Sequence, residues 1–203
     1  MLTKNQTEIL NLFRKSVFLK FNILQIKKNL KKKSYQRVYE AVNDLEKKKI
    51  LSSEKIGNVN LISLPLNSQS ILQLSFLDEQ EAINKKIPNY EKIVSIKEIS
   101  QHLILITGSY AKGTAKKISD LDLVIIIPEN QKPIEVQKLI ENITFLFHPR
   151  IHLYVFTNKD FVDMLLEKEE NYGKEIFKNH TILRNAYIYY QLIKEAVENG
   201  FRS

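Results

Sequence analysis

The chain has 203 residues, of which 43% are hydrophobic and 27% charged, and its formal net charge is +8. This composition suits a globular protein of one or two domains. The absence of any 18-residue apolar stretch argues against a transmembrane helix, and the absence of cysteine excludes disulfides and thiolate metal sites. The first residues also lack a signal-peptide pattern, so we expect a cytoplasmic protein with no membrane partner.

The positive charge is concentrated at one end of the chain. Residues 1–64 hold 14 basic and 5 acidic side chains, an excess of +9, whereas residues 65–203 hold 17 and 18, an excess of −1. Charge asymmetry of this kind favours a separate N-terminal module that binds a polyanion.

Residues 1–64 show three helical patterns followed by two strand patterns. Apolar residues recur at helical spacing around Ile9–Val17 and Phe21–Leu30, and Ser34 is a suitable N-cap for a third helix. Strand patterns then flank the Gly57-Asn58 turn. This order resembles a winged helix-turn-helix domain, in which the third helix enters the major groove of double-stranded DNA.

The resemblance implies a set of DNA-binding residues. The exposed face of the third helix would carry Tyr35, Gln36, Arg37 and Tyr39, while Lys31, Lys32, Lys33 and Lys55 would contact phosphates. The alternative interpretation is a lysine-rich surface on a small domain that binds protein or forms a homodimer. Residues 65–99 follow as a helical linker, with amphipathic patterns over 67–86 and 90–99 that Pro65 and Pro88 delimit.

A glycine-serine turn and an aspartate pair then lie between two apolar runs. Gly108-Ser109 follows the predicted strand Leu103–Thr107, and Asp120 and Asp122 adjoin the predicted strand Leu121–Ile127. Alternate strand residues share one face, so the two carboxylates project together, about 7 Å apart. Carboxylates beside free backbone N–H groups suit a divalent cation and the phosphates that it carries.

This ordered set resembles the nucleotidyltransferase superfamily that includes DNA polymerase beta, and most closely its minimal branch. The resemblance implies that Asp120 and Asp122 hold Mg²⁺ and that the turn binds a nucleoside triphosphate such as ATP. The implied nucleotide-binding residues are Gly108, Ser109, Lys112, Gly113 and Ser119. We expect a short helix through Lys117, a helix over 133–142 and a strand over 151–156.

The predicted fold class is α+β: an N-terminal winged helix-turn-helix, then a small mixed-sheet nucleotidyltransferase core with C-terminal helices. The predicted domains are residues 1–64, a linker at 65–99, the core at 100–165 and a helical segment at 166–203. Helical patterns cover 161–167, 172–177 and 185–198. Tyr187, Tyr189 and Tyr190 crowd the last helix and favour core or homodimer packing over adenine stacking.

The chain departs from the superfamily at a third position. Active members carry another carboxylate on the later strand, where strand alternation places His152 in this chain. A histidine there acts as a general base or metal ligand in one interpretation, and marks a domain without turnover in the other. Asp160 and Asp163 suit a helix start better than a metal site.

Three functional interpretations remain open at this point. The first is a metal-dependent nucleotidyltransferase that moves a nucleoside monophosphate to an acceptor hydroxyl, with Asp120, Asp122 and His152 as catalytic residues. The second is a DNA-binding transcriptional regulator whose nucleotidyltransferase-like domain only binds nucleotide. The third is an antitoxin-like protein that nucleotidylates a partner protein.

Overall fold

The computed structural model describes residues 2–14 and 16–202, which form two compact units. The N-terminal unit comprises the chain up to Leu74 together with Arg202, and the C-terminal unit comprises Ser75–Phe201. The boundary between them falls inside a helix.

The N-terminal unit contains three helices and a small sheet. Its elements are α1 (Lys4–Arg14), β1 (Lys20–Phe21), α2 (Ile23–Asn29), α3 (Tyr35–Lys47), β2 (Ser52–Ile56) and β3 (Val59–Ser63). The strands form an antiparallel sheet in the order β1-β3-β2. The predicted N-cap of α3 is confirmed, since the Ser34 hydroxyl accepts a hydrogen bond from the Arg37 N–H at 3.3 Å. Strand β1 was not predicted, because two residues are too few to show alternation.

Apolar residues from each helix of this unit are buried. The α3 residues Val38, Val42 and Leu45 are buried, as are Phe13 of α1 and Ile26 of α2. Their positions follow the helical spacing seen in the sequence, because a helix buries the residues that recur every three or four positions.

The C-terminal unit begins within α4 and alternates helices with strands. Its elements are α4 (Ser68–Asn84), α5 (Tyr90–Val94), a 3₁₀ turn (Lys97–Ile99), β4 (Leu103–Ile106), α6 (Gly108–Lys112), β5 (Leu121–Ile127), α7 (Pro133–Thr144), β6 (Ile151–Thr157), α8 (Asn158–Leu166), α9 (Tyr172–Lys178), β7 (Thr181–Arg184) and α10 (Ala186–Glu198). Among the described residues, no helix is both long and apolar enough to cross a bilayer.

The sheet of this unit is mixed and has the order β6-β5-β4-β7. Strand β4 runs antiparallel to β5 and β7, whereas β5 and β6 are parallel. Ile125 and Ile127 of β5 pack with Leu153 of β6 and Ile140 of α7 in a buried cluster. The near-continuous apolar sequence of β5 follows from its central place in the sheet, which buries both of its faces.

Three local features differ from the sequence-based expectation. The pattern over 90–99 is interrupted at Ile96, whose ψ of 114° is extended, so a short helix and a 3₁₀ turn replace one helix. Helix α6 ends at Lys112 rather than Lys117, because Gly113 adopts a left-handed conformation with φ of 70°. The segment 166–203, for which only helices were expected, also contains β7. This strand has four residues and pairs with β4, which is distant in sequence, so it leaves only a weak pattern in the sequence.

Candidate active site

The pairing of β5 with β6 brings Asp122 and His152 together. The two residues are register partners in the parallel ladder, so their side chains leave the same face of the sheet. The His152 Nδ1 atom lies 3.4 Å from Asp122 Oδ1. The histidine side chain is 60% exposed and the aspartate 27% exposed. His152 is thus more accessible to solvent than Asp122.

The glycine that begins α6, shortly after β4, makes room for the same carboxylate. Gly108 has φ of +62°, and a Cβ atom there would lie 2.0 Å from Asp122 Oδ2. The neighbouring Thr107 N–H donates to the Asp122 carbonyl oxygen at 3.0 Å. Because only glycine allows both this backbone conformation and this approach, the residue type at position 108 is dictated by Asp122.

The other predicted nucleotide-binding residues are Ser109 and Lys112, which lie in α6, and Gly113 and Ser119, which lie between α6 and β5. Gly113 ends α6, and the Ser119 hydroxyl accepts a hydrogen bond from the Lys116 N–H at 2.9 Å. Ser119 therefore shapes the loop that leads into the aspartate pair. The Lys112 ammonium is half exposed and lies 3.8 Å from the Glu175 carboxylate of α9. An exposed pair of this kind is weak, so Lys112 is available to a phosphate.

Asp120 lies just before β5 and is exposed. It lines a cleft of about 820 Å³ together with His152 and with residues of α7 and the segment that follows it. Asp122, two positions further on, is the second residue of β5 and lies against Gly108 instead. One carboxylate thus borders the cleft and the other borders the turn.

Two tyrosines complete the surroundings of Asp122. The Tyr154 hydroxyl is hydrogen-bonded to His152 Nδ1 at 3.2 Å, and the Tyr172 hydroxyl to the Thr107 hydroxyl at 2.8 Å. The two phenol rings lie 4.6 Å apart. Burial, followed by the negative charge of Asp122, raises the pKa of Tyr154, and burial also raises that of Tyr172. Both hydroxyls thus stay protonated at neutral pH.

The donor set fits a cation that arrives with its substrate. Within residues 2–14 and 16–202, no group of three or more His, Cys, Asp or Glu side chains is arranged to hold a metal ion. Mg²⁺ is commonly held by one or two carboxylates plus substrate phosphates, with water filling the remaining positions. Asp120 and Asp122 match that requirement in number and type, and the turn at Gly108 adjoins Asp122.

The comparison with protein families decides the class of the C-terminal unit. Residues 76–184, more than half of the chain, match the family described as "Nucleotidyltransferase domain". The chain belongs to this family. No curated protein and no solved structure matches it.

The limits of the nucleotidyltransferase domain agree with its sheet. The matched segment ends at Arg184, the last residue of β7, and so contains all four strands of the mixed sheet. The α+β class with a nucleotidyltransferase core is therefore confirmed, and the class of chemistry that the family supports is nucleotidyl transfer. The four domains predicted from the sequence remain a prediction.

The residues predicted to bind DNA lie in the N-terminal unit, outside the nucleotidyltransferase domain. Those that are exposed are Lys31, Lys33, Tyr35, Gln36, Arg37, Tyr39 and Lys55. Lys32 is only partly exposed and pairs with Glu8 and Asn5. The Gln36 amide donates to Glu40 at 2.9 Å, and the Tyr35 and Tyr39 rings are stacked 6.2 Å apart. Lys32 and Gln36 thus already have intramolecular partners.

Tyr154 and Tyr172 were not predicted as part of the site. Strand alternation places Tyr154 on the same face as His152, so the sequence did contain a signal for this residue. Tyr172 contacts Thr107 across 65 positions of the chain, and no local pattern reports such a contact. Asp160 is confirmed at a helix start, where it forms a capping box with Thr157.

Proposed function

We propose that the C-terminal unit is a metal-dependent nucleotidyltransferase that moves a nucleoside monophosphate from a nucleoside triphosphate to an acceptor hydroxyl. The N-terminal unit would tether this activity to double-stranded DNA. The observation that carries the proposal is the convergence of Asp122, the Gly108 turn and His152 at one end of the mixed sheet.

The turn is the part of the site that supports triphosphate binding. Gly108 and Ser109 begin α6, where backbone N–H groups have no partner within the helix. Lys112 is exposed in the same helix and would add a positive charge. Main-chain N–H groups and a lysine are the usual partners of terminal phosphates.

The transfer step itself needs one proton acceptor. The acceptor oxygen would attack the α-phosphorus while the bond from that phosphorus to the bridging oxygen breaks, so that pyrophosphate leaves. The hydroxyl proton would go to His152, whose ring is exposed on the side of the cleft. Because Nδ1 faces Asp122 and Tyr154, Nε2 is the nitrogen left for this role.

Asp120 and Asp122 would hold the divalent cation, Mg²⁺ in the simplest case. When bound, the cation neutralises charge on the phosphates and polarises the reacting phosphoryl group. Asp122 adjoins the Gly108 turn and Asp120 lines the cleft, and this placement supports the proposed role.

The proposed DNA-binding role of the N-terminal unit rests on its topology and charge. Three helices followed by the β2–β3 hairpin match the order of a winged helix-turn-helix domain. Arg37 and the lysines at positions 31 and 33 are exposed beside the N-terminus of α3. Charged side chains of this type bind the phosphates of a duplex.

Nucleotide titration tests the proposed enzyme directly. ATP, GTP, CTP and UTP would be titrated with Mg²⁺ into the wild-type chain and into Asp120→Asn/Asp122→Asn, with pyrophosphate release followed in the same samples. We expect binding by the wild type and at least about tenfold weaker binding by the double variant, because the cation loses its carboxylate ligands. Asp163→Asn is the matched control, since Asp163 is an exposed carboxylate on α8 and is not among the proposed site residues.

A nucleotide-sensing regulator is the second candidate. It is favoured by the register of β6, which places a histidine opposite Asp122 where active relatives are expected to have a carboxylate. Metal-dependent binding without pyrophosphate release in the presence of varied acceptors would support this candidate. Failure of the wild type to bind any of the four nucleotides would refute both candidates.

A further inference from the structure

Thr107 occupies the N-cap position of α6 but does not cap that helix. Its backbone is extended, with φ of −126° and ψ of −161°, and its side chain makes no capping hydrogen bond. A threonine at this position usually accepts a hydrogen bond from the second or third N–H group of the helix. Thr157 does so at the start of α8, where its hydroxyl accepts from the Asp160 N–H at 3.0 Å. The Thr107 hydroxyl is therefore held by a different partner.

That partner is Tyr172 of α9. The two hydroxyl oxygens lie 2.8 Å apart, and Thr107 is only 1% exposed. A buried hydroxyl needs a hydrogen-bond partner, because leaving it unpaired costs the free energy of its lost hydration. The bond to Tyr172 meets this need without using any main-chain N–H group of the Gly108-Ser109 turn.

The chain on both sides of Tyr172 is packed against α8. The preceding residue, Asn171, caps α9 and donates to the Met164 carbonyl at 2.7 Å. The following residue, Gly173, lies so close to α8 that an added Cβ atom would be 2.5 Å from the Met164 Cβ. Contacts with one residue of α8 thus fix the backbone from which the Tyr172 side chain extends.

The phenol ring and the neighbouring surface of α9 make further contacts. The centroid of the Tyr172 ring lies 4.6 Å from that of Tyr154 and 6.0 Å from that of Phe156, both of β6. Three residues further along α9, the Glu175 carboxylate lies 3.8 Å from the Lys112 ammonium. Residues three apart on a helix share a face, so one face of α9 meets α6 at its N-cap and again at its last residue.

This arrangement affects the main-chain N–H groups that the proposed function assigns to the triphosphate. A threonine hydroxyl that capped α6 would occupy one of these groups from within the chain. A phosphate oxygen would then have to displace that hydroxyl before it could accept the same hydrogen bond. With the hydroxyl held by Tyr172, the N–H group stays free for the ligand.

We propose that Tyr172 is a positioning residue for nucleotide binding, which holds the Thr107 hydroxyl away from the Gly108-Ser109 turn. It acts through Thr107 and does not itself contact the nucleotide. The inference rests on the proposed function, because that proposal assigns the N–H groups of the turn to the triphosphate. It differs from a packing role, since it makes the Thr107 hydroxyl harmful to binding once Tyr172 no longer holds it.

Titration of Mg²⁺ and the four nucleoside triphosphates into variants of the full chain tests this role. Tyr172→Phe leaves the Thr107 hydroxyl without its partner, so the hydroxyl turns to the main chain. We expect affinity to fall about three- to tenfold, the usual effect of one hydrogen bond. Thr107→Val removes the competing hydroxyl and should keep affinity within about twofold of the wild type. The double variant should regain the affinity that Tyr172→Phe loses.

Amide hydrogen exchange, followed by nuclear magnetic resonance without nucleotide, measures the state of the turn directly. In Tyr172→Phe the amide of Ser109 or Tyr110 should exchange at least about threefold more slowly than in the wild type, because a capping bond protects it. The double variant should return to the wild-type rate. Tyr187→Phe is the matched control, since Tyr187 is 43% exposed on α10, and it should change neither exchange nor affinity.

The possible failures are distinguishable. Equal loss of affinity in Tyr172→Phe, Thr107→Val and the double variant would show that the bond only holds the turn in place, which would overturn the inference. Unaltered affinity or unaltered exchange in Tyr172→Phe would overturn it as well. If Thr107→Val does not fold, Thr107→Ala takes its place, because alanine also lacks the hydroxyl. Absence of nucleotide binding by the wild type would refute the proposed function before any variant is compared.

Discussion

Gly108 shows at the scale of one residue how the Gly108-Ser109 turn and the aspartate strand depend on each other. Its φ of +62° disfavours any residue with a side chain, and a Cβ atom there would lie 2.0 Å from Asp122 Oδ2. Gly113 has a similar φ of +70°, but no atom lies within 4 Å of its Cβ position. A side chain at position 113 would therefore cause backbone strain alone, whereas a side chain at position 108 would also clash with Asp122.

We predict different outcomes for alanine at these two positions. Gly113→Ala should lower the free energy of unfolding by about 1 kcal/mol, the usual cost of a left-handed conformation without glycine. Gly108→Ala has the same strain and must also displace the Asp122 carboxylate, so it should in addition weaken Mg²⁺-nucleotide binding at least about tenfold. Urea unfolding and nucleotide titration measure these effects.

The comparison between the two variants decides the outcome. Equal nucleotide affinity in Gly108→Ala and Gly113→Ala would mean that the approach of Asp122 to the turn has no part in binding. If Gly108→Ala does not fold, nucleotide binding is measured with Asp122→Asn instead, because this substitution preserves the shape of the side chain.

Helix α9 illustrates how an element is held beside the site. The Asn171 side chain accepts a hydrogen bond from the Lys174 N–H at 3.1 Å and donates to the Met164 carbonyl at 2.7 Å and to Glu167 at 2.8 Å. It therefore caps α9 and links it to the end of α8. The next residue, Tyr172, carries the hydroxyl that meets Thr107.

We expect Asn171→Ala to lower the free energy of unfolding by about 1–2 kcal/mol. The substitution removes the N-cap of α9 and leaves the Met164 carbonyl without this partner. Urea unfolding followed by circular dichroism measures the change. Asn130→Ala, at an exposed position after β5, should alter stability by less than about 0.5 kcal/mol. Similar values for both variants would show that the cap contributes little.

Other elements mark the limit of what periodicity reveals. Helix α3 and strand β5 were predicted nearly to their ends, because each is long enough to show its period several times. Strands β1 and β7 have two and four residues and were not predicted. Their conformation depends on pairing with β3 and β4, respectively, which are distant in sequence.

The uneven charge of the chain acts at the scale of the whole molecule. The excess of +9 in residues 1–64 lies in a unit that is separate from the nearly neutral nucleotidyltransferase domain. Lysine and arginine that neutralise phosphates release counterions, so DNA affinity falls steeply as salt rises. The salt dependence of DNA binding should therefore come from the unit that carries the positive charge.

We predict that the full chain binds duplex DNA with strong salt dependence. Replacing Lys31, Lys33 and Arg37 by glutamine should weaken binding and reduce the slope of log K against log salt by about 2–3, roughly 0.9 for each lost phosphate contact. The slope is measured by fluorescence anisotropy with a labelled duplex, at salt concentrations of roughly 50–300 mM.

A second triple variant controls for net charge. Lys97, Lys138 and Lys168 are exposed lysines of the C-terminal unit, and their replacement by glutamine removes the same total charge. It should leave the slope unchanged. A slope that falls equally in both variants, or that is flat in the wild type, would contradict DNA binding by the N-terminal unit.

Several properties of this protein follow from its sequence alone. The order Gly108, Asp120, Asp122 between two apolar runs indicated nucleotidyl-transfer chemistry, and the family match confirms that class. The N-cap at Ser34 and the buried face of α3 were likewise evident. These features are local, because turn chemistry, capping and side-chain periodicity depend on residues a few positions apart.

Only the tertiary structure decided which distant residues meet. The register of β5 against β6 sets His152 opposite Asp122, and the fold brings Tyr172 to Thr107. A shift of one residue in that register would turn His152 to the other face of the sheet. Contacts of this kind result from packing between segments that are far apart in the chain, so no local pattern contains them.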